Sequence, residues 1–306
     1  MARRPQSPDR EASPADAELL VVVHEMSGRL QELEPSSRKI QASLTKFAKR
    51  LNHIESGIAS TLRKLYFDNE SLPFPQALTA ERFHLGSQND EYGLTFSLLR
   101  RIGMESRRFI ELGCGMRGGN SAFLVQEMGW DGIMIDADES RVRRVARRFG
   151  PRVTALADWV TCENINDLLE THGFSGEVDV LSIDIDGNDY WIWDAIDVCT
   201  ARLVIIEYNS AFGADAAVAV PYQADFDRRA LKSVDPQWAS LYYGAPLGAL
   251  ARLGEQKGYR LVATEPRGIN AYLPSQRRGR FDPRLVGGRR LPYTGAVQHS
   301  VSEARP

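Results

Sequence analysis

Two rhythms of apolar residues alternate along most of this chain. Short apolar runs stop at an acid or a glycine, and between them apolar residues recur every three or four positions. Phe109, Ile110 and Leu112 form a first strand, followed by a glycine-rich turn and by helical spacing from Asn120 to Met128. Upstream of it, Leu94, Leu98 and Leu99 give a core face to a helix over Leu94–Ile102. Gly132 to Ile135 forms a second strand closing on Asp136. Val142, Val145 and Phe149 then supply the buried stripe of a helix over Glu139–Phe149, and its arginines form a solvated outer face. A third strand runs over Arg152–Leu156, with a helix over Asn164–Leu169. Val180, Leu181 and Ile183 read as a central parallel strand, followed by a helix in YWIWDAI and a fifth strand over Arg202–Ile206. Ser210 to Pro236 has no strong period and reads as a covering insertion. A helix over Trp238–Lys257 ends at Gly258, and two last strands, Tyr259–Ala263 and Ile269–Leu273, form an antiparallel hairpin.

The flanks follow different rules. Residues 1–14 are rich in Arg, Pro and Ser and are expected to be disordered. Residues 15–70 form a helical appendage: one helix from Ala15 to Leu33 ended by Pro35, then a second capped by Ser36 or Ser37. In the second, Ile40, Leu44, Phe47, Leu51, Ile54 and Ile58 recur at spacings of four and three, the seam of a coiled coil, with Arg50 and Glu55 five apart beside it. Self-association through residues 36–66 and packing within the chain are equally open, since Gly57 and Ser60 weaken the seam. SLPFPQ reads as a linker. A principal domain is therefore expected over 80–274, with a mobile basic tail over 275–306.

Composition removes several classes of function. Lys and Arg number 38 against 40 Asp and Glu, so there is no global electrostatic case for nucleic acid. The 3 cysteines, Cys114, Cys162 and Cys199, are scattered and odd in number, which suits a reducing compartment. Cys114, inside the glycine turn, reads as a small residue tolerated there. No apolar run is long enough to span a membrane, and MARRPQSPDREASP lacks the apolar core of a signal peptide, so a cytoplasmic location is expected.

The chemistry centres on ELGCGMRGGN. Gly113, Gly115 and Asn120 shape a turn whose backbone can approach a ligand at the start of a helix. Glu111, at the mouth of that turn, would repel the two phosphates of a dinucleotide. A cationic ligand without phosphate fits better, and S-adenosylmethionine, with its sulfonium and ammonium, is one. Asp136, at the end of the second strand, is placed to accept both ribose hydroxyls.

ELGCG followed by IDAD resembles the first two motifs of the class I S-adenosylmethionine-dependent methyltransferases, over about residues 84–274. SQNDEYG and LSIDIDGNDYWIWDAI are similar more narrowly to the FkbM-type methyltransferases, many of which modify hydroxyls of sugars or natural products. The resemblance implies a three-layer α/β sandwich, a mostly parallel seven-stranded sheet closed by the C-terminal hairpin. It also implies that Ser87 and Gln88 lie close to the cofactor loop, although Asn89 or Asp90 could equally cap a helix there. The adenine would lie by Asp158 and Trp159, where Trp159 either stacks on the ring or fills the rim.

Asp184, Asp186 and Asp189 crowd the carboxyl end of the central strand and must be compensated. A cofactor cation, a metal, protonation, or helix capping by Asn188 or Asp189 would each do so. Glu207 and Asn209 end the neighbouring strand and should share the same mouth. Asp184, Glu207 and Asn209 are then hard oxygen ligands for Mg²⁺, or Asp184 and Glu207 bond substrate hydroxyls or the cofactor ammonium directly. The base would be His84, Asp186 or Asp184, although a lone histidine such as His84 is usually a surface or packing residue. Asn270 points at substrate or at solvent. The activity expected is O-methyl transfer to a small-molecule or glycan acceptor; the rival is a scaffold that keeps the fold and assembles through its N-terminal helices.

Overall fold

The computed structural model describes residues 14–66, 91–228, 230, 235–265 and 267–277. The chain divides into two compact units, Met1–Ser56 and Gly57–Pro306.

Helix α1, Pro14–Tyr66, is a single helix of 53 residues. Two helices broken at Pro35 were the expectation, and the structure corrects it. Proline inside a helix removes one hydrogen bond and costs about 3 kcal/mol, but helix-favouring residues on both sides, Gln31 and Glu32 before it and Arg38 and Lys39 after it, carry the helix through. An intrachain hairpin of two helices is thereby excluded. Residues 1–13, 67–90 and 278–306 lie outside the described residues, and with them the expectations of a disordered start, a linker and a mobile tail.

The sheet comes from the second unit and follows α2, Glu91–Ile102. In chain order come β1 (Arg108–Leu112), α3 (Ala122–Met128), β2 (Asp131–Asp136), α4 (Glu139–Phe149) and β3 (Val153–Ala157). Then follow α5 (Ile165–Thr171), β4 (Gly176–Ile183), α6 (Asp189–Ala195) and β5 (Cys199–Glu207). The last elements are α7 (Pro236–Leu241), α8 (Leu247–Lys257), β6 (Ala263–Thr264) and β7 (Asn270–Pro274). The seven strands lie in the order β3-β2-β1-β4-β5-β7-β6, parallel except for β7, which runs antiparallel to β5 and β6. This is the seven-stranded α/β sandwich expected.

Both faces of the sheet are covered, which is why its central strands are mostly apolar. Ile110, Leu112, Ile133 and Ile183 pack with Trp193 and Leu250 on one face. Phe109, Met134, Val180 and Ile205 pack with Leu99 and Val145 on the other. The chain moves outward from β1 in one direction through β2 and β3 and in the other through β4 and β5, so the carboxyl ends of β1 and β4 flank a crevice.

Two local expectations fail. The helix over Trp238–Lys257 is broken into α7 and α8, because Pro246 offers no N–H and Gly244, at φ 54°, turns the chain into the left-handed region. The freed backbone bonds elsewhere: Gly244 N–H donates to the Gly187 carbonyl at 2.9 Å, and the Ala245 carbonyl accepts from Asn209 N–H at 2.9 Å. The strand over Tyr259–Ala263 shrinks to Ala263–Thr264, with Tyr259 held by a single bridge to Ser275.

Candidate functional site

β1 delivers a carboxylate to the underside of the glycine turn. Glu111 is fully buried, on the same face as Phe109 and Met134. Its Oε1 accepts from Asn120 N–H at 3.1 Å and from Ser182 Oγ at 3.1 Å, and its Oε2 from Ser121 Oγ at 2.6 Å. Burial pushes its carboxyl up to about 7, against the pull of those donors. Glycine at 119 is required by this contact, since a Cβ there would lie 2.0 Å from Glu111 Oε1. A Cβ at Gly113 would lie 1.7 Å from the Asp184 carbonyl oxygen, so β4 enforces the other end of the turn. The expectation that Glu111 faces a ligand's positive charge is therefore corrected. It lies one residue before the end of its strand, points into a packed layer, and organises the loop from below.

Asp136 ends β2 and does line the crevice. Its Oδ2 accepts from Gly115 N–H at 2.9 Å and from Arg141 Nη1 at 3.4 Å, and its Oδ1 from Asp138 N–H at 2.9 Å, so Oδ1 keeps a lone pair for a further donor. The Asp138 carboxylate caps α4 by accepting from Ser140 N–H at 2.8 Å, which sets that helix so that Arg141 reaches the crevice. The sequence assigned Arg141 to the solvated face; its half-exposed guanidinium belongs to both.

The crevice is a cavity of about 490 Å³ along the carboxyl ends of the strands. Gly113, Gly115, Asn120 and Asp136 line it, with Asp158 and Trp159 from the loop after β3. Trp159 is fixed at the rim by its Nε1, which donates to the Ala224 carbonyl at 2.7 Å. Trp191 Nε1 donates to the Val220 carbonyl at 2.7 Å, and Asn188 Nδ2 to the Gln223 carbonyl at 2.7 Å. These three side chains fasten the insertion over the cavity, and Phe226, Asp227 and Arg228 of that insertion line it.

The crowd of acids is resolved residue by residue. Asp189 is buried and accepts from Ile185 N–H and Gly187 N–H, both at 2.9 Å, so it holds the turn after β4. Burial pushes it up to about 6, although those N–H donors pull it back. Asp186, at φ 62°, turns outward and pairs with Arg228 at 2.9 Å, and that guanidinium lies 3.8 Å from the centre of the Tyr243 ring. Glu207 is pushed well above the ordinary carboxyl value, first by burial and then by Asp184, Asp189 and Asp186. Asp184 lines the cavity. Among the described residues, two buried oxygens, Glu207 Oε2 and Asn270 Oδ1, have no hydrogen-bond partner. They lie on residues paired across β5 and β7, and Asn270 lines the cavity.

Asn209 does not join this group as a metal ligand. Its Nδ2 donates to the Leu241 and Tyr243 carbonyls at 2.6 and 3.1 Å, and its Oδ1 accepts from Ala211 N–H at 3.0 Å. The amide ties down the chain after β5. The expected Mg²⁺ set of Asp184, Glu207 and Asn209 is therefore not supported, and no group of three His, Cys, Asp or Glu side chains that could hold a metal ion occurs among the described residues. His84 and Gln88 lie outside the described residues.

Two partners in the site were missed at sequence level. Ser182 is the lone hydroxyl in the apolar run VDVLSI, and a polar residue in a strand buried on both faces is a signal that a polar neighbour awaits it. Arg228 had no such signal, because it lies in an aperiodic stretch whose course is set by tertiary contacts.

No protein-family profile matches the sequence, and no curated protein matches it. Solved structures do resemble the fold. An O-methyltransferase from Bacillus cereus in complex with SAH is 12% identical, covers 72% of this chain and 97% of its own, and gives a TM-score of 0.39. A TehB-like SAM-dependent methyltransferase from Corynebacterium glutamicum is 12% identical, covers 61% of this chain and 90% of its own, and gives 0.36. A SAM-dependent methyltransferase from Archaeoglobus fulgidus is 16% identical, covers 56% of this chain and 71% of its own, and gives 0.33.

Proposed function

We propose that this chain is an S-adenosylmethionine-dependent methyltransferase acting on a hydroxyl of a small-molecule or glycan acceptor, a sugar or secondary metabolite. The observation that carries the reading is Asp136: a buried carboxylate at the end of β2 that lines a 490 Å³ cavity beside the glycine turn, with Oδ2 held by Gly115 N–H and Arg141 and with Oδ1 keeping a lone pair beyond its bond to Asp138 N–H. That volume falls in the range of small-ligand sites. Asp136 binds the ribose hydroxyls, the turn from Gly113 to Asn120 supplies close backbone approach, and Asp158 and Trp159 flank the base. Bound there, S-adenosylmethionine supplies an electrophilic methyl group on a sulfonium.

The remaining work falls to the acid side of the cavity. The acceptor hydroxyl loses one proton as its oxygen gains the methyl, and Asp184 is the carboxylate positioned to take it. Asp186 is engaged by Arg228 and Glu207 is held toward its neutral form, which leaves Asp184 the better candidate of the three. The fastened insertion excludes water.

Calorimetric titration with S-adenosylmethionine tests the cofactor assignment, and absence of binding defeats it. Methyl-labelled cofactor incubated with fractionated cell extract then tests transfer. Asp184→Asn should bind cofactor as the parent does and transfer no label; transfer at the parental rate removes Asp184 as the base.

A further inference from the structure

We infer that α1 is one strand of a parallel, in-register two-stranded coiled coil whose other strand is a second copy of this chain. The continuity of the helix carries the argument. Because no break occurs at Pro35, the frame set by Ile40 to Ile58 extends in both directions along one rod. Counting back and forward in sevens, the a positions hold Val23, Leu30, Leu44, Leu51, Ile58 and Leu65, with Ser37 the one exception. The d positions hold Leu19, Met26, Leu33, Ile40, Phe47 and Ile54, with Thr61 the one exception. Pro35 falls at f, the position farthest from a partner, where a missing N–H disturbs no interhelical packing.

A straight helix cannot use this pattern by itself. The mismatch between 3.6 and 3.5 residues per turn rotates a heptad stripe by about 20° per repeat, so from Leu19 to Leu65 it drifts by about 130° around the helix. A strict seven-residue repeat of this length keeps one face only by supercoiling around another helix. Where side chains are described, the seam is open: Phe47 is 60% exposed, Leu44 62% and Ile54 52%. Apolar side chains exposed at this regularity are the unburied half of an interface.

The flanking charges choose the partner and its direction. Residues at g in one parallel strand meet the residue five further on, at e, in the other. Arg29 and Arg50 occupy g, and Glu34 and Glu55 occupy the matching e positions. A parallel pair of identical chains therefore forms both contacts twice, Arg29 with Glu34 of the other copy and Arg50 with Glu55. Antiparallel packing sets g against g and e against e. No g position from Val22 to Gly57 carries an acid, and no e position from Leu20 to Leu62 carries a base, so that arrangement gains no attractive pair. A second copy in parallel register satisfies the charges and the seam together.

The test uses the full chain. Sedimentation equilibrium of the parent should give the mass of a dimer, and a monomer mass at tens of micromolar overturns the inference. Leu44→Cys places a thiol at an a position, where two in-register strands bring the same residue face to face. Mild oxidation should link Leu44→Cys chains covalently and leave the parent, with its own 3 cysteines, unlinked. Absence of that link from a dimer of correct mass rejects the parallel register. Arg50→Glu and Glu55→Arg chains should each dimerise at least tenfold more weakly than the parent, and an equimolar mixture should recover heterodimer at parental affinity. If the mixture behaves as its components do, the two charges do not meet across the interface.

Discussion

The two ends of β4 use acids in opposite ways. Asp179, near the amino end, is fully buried and saturated with donors: Glu105 N–H reaches both oxygens at 3.0 Å, Arg107 N–H reaches Oδ2 at 2.7 Å, and Arg202 Nε lies 3.1 Å from Oδ1. Arg202 is buried as well and also engages Glu105. Past the carboxyl end, Glu207 is pushed toward its neutral form by burial and by Asp184, Asp189 and Asp186, and Glu207 Oε2 and Asn270 Oδ1 have no hydrogen-bond partner among the described residues. The first end is a clamp that needs nothing further, and the second keeps buried acceptors unmet, as the proposed ligand site requires. Saturation of lone pairs, and not acidity, separates structural carboxylates from working ones.

The largest effect should come from breaking the saturated end. Asp179→Ala leaves Arg202 buried beside a cavity and the backbone N–H groups of Glu105 and Arg107 without their acceptor, and should cost about 3 to 5 kcal/mol in urea unfolding. A loss below 1 kcal/mol would mean that the clamp adds little to the fold.

Glu111 tests the same contrast inside the sheet, since it is saturated with donors yet completely enclosed. Its carboxyl rises from an ordinary value of 4.5 to about 7 in the folded chain. Between those values the native state holds more protons than the unfolded state, so this group makes unfolding free energy fall as pH rises through that window. At 1.36 kcal/mol per unit of pKa the contribution is about 3 kcal/mol, complete above pH 7. Glu111→Gln keeps the shape and removes the titration, so its stability should be flatter with pH than the parent's between 4.5 and 7. Parallel curves for parent and variant would show that Glu111 does not titrate there.

At the open end, Asp136→Ala should weaken S-adenosylmethionine binding by about 1 to 3 kcal/mol by calorimetry and leave the chain folded, because it removes charge-assisted bonds to ribose hydroxyls. Unchanged affinity would break the link between the acid that ends β2 and a ligand.

How far the sequence foretold this depends on which interactions set each feature. The strand order and the acids at strand ends were legible because apolar runs, glycines and terminal carboxylates are local patterns, and Asp136 is the terminal residue of its strand. The direction in which Glu111 points was legible in principle. It shares parity with Phe109 and precedes the strand's last residue, Leu112, so alternation turns it into the layer under the loop. Asn209 and Arg228 were not legible, since their roles depend on the courses of the loop at Tyr243 and of the insertion, which no period encodes. The break at Pro35 was the reverse case: a strong local signal overridden by the helix around it.

Arg228 gives the smallest effect and the finest discrimination between the two ends of β4. If the carboxyl end were a second clamp, removing its arginine would cost as much as breaking the pair of Asp179 and Arg202. The geometry argues otherwise, because the Asp186 side chain is 68% exposed, whereas that of Asp179 is 1% exposed. An ion pair open to water on one side is worth about 0 to 1 kcal/mol, and the stacking of the guanidinium on Tyr243 adds about 0.5 kcal/mol. Arg228→Met, which keeps the apolar stem, should therefore lower stability by about 1 kcal/mol or less in urea unfolding. Its effect on charge should be plainer. Arg228 favours the ionised form of Glu207, so its loss drives that buried carboxyl still further toward the neutral form. A stability loss comparable to that of Asp179→Ala would make Arg228 the counter-ion that holds the acids together. The carboxyl end would then be a second clamp, and the contrast between the two ends of β4 would be lost.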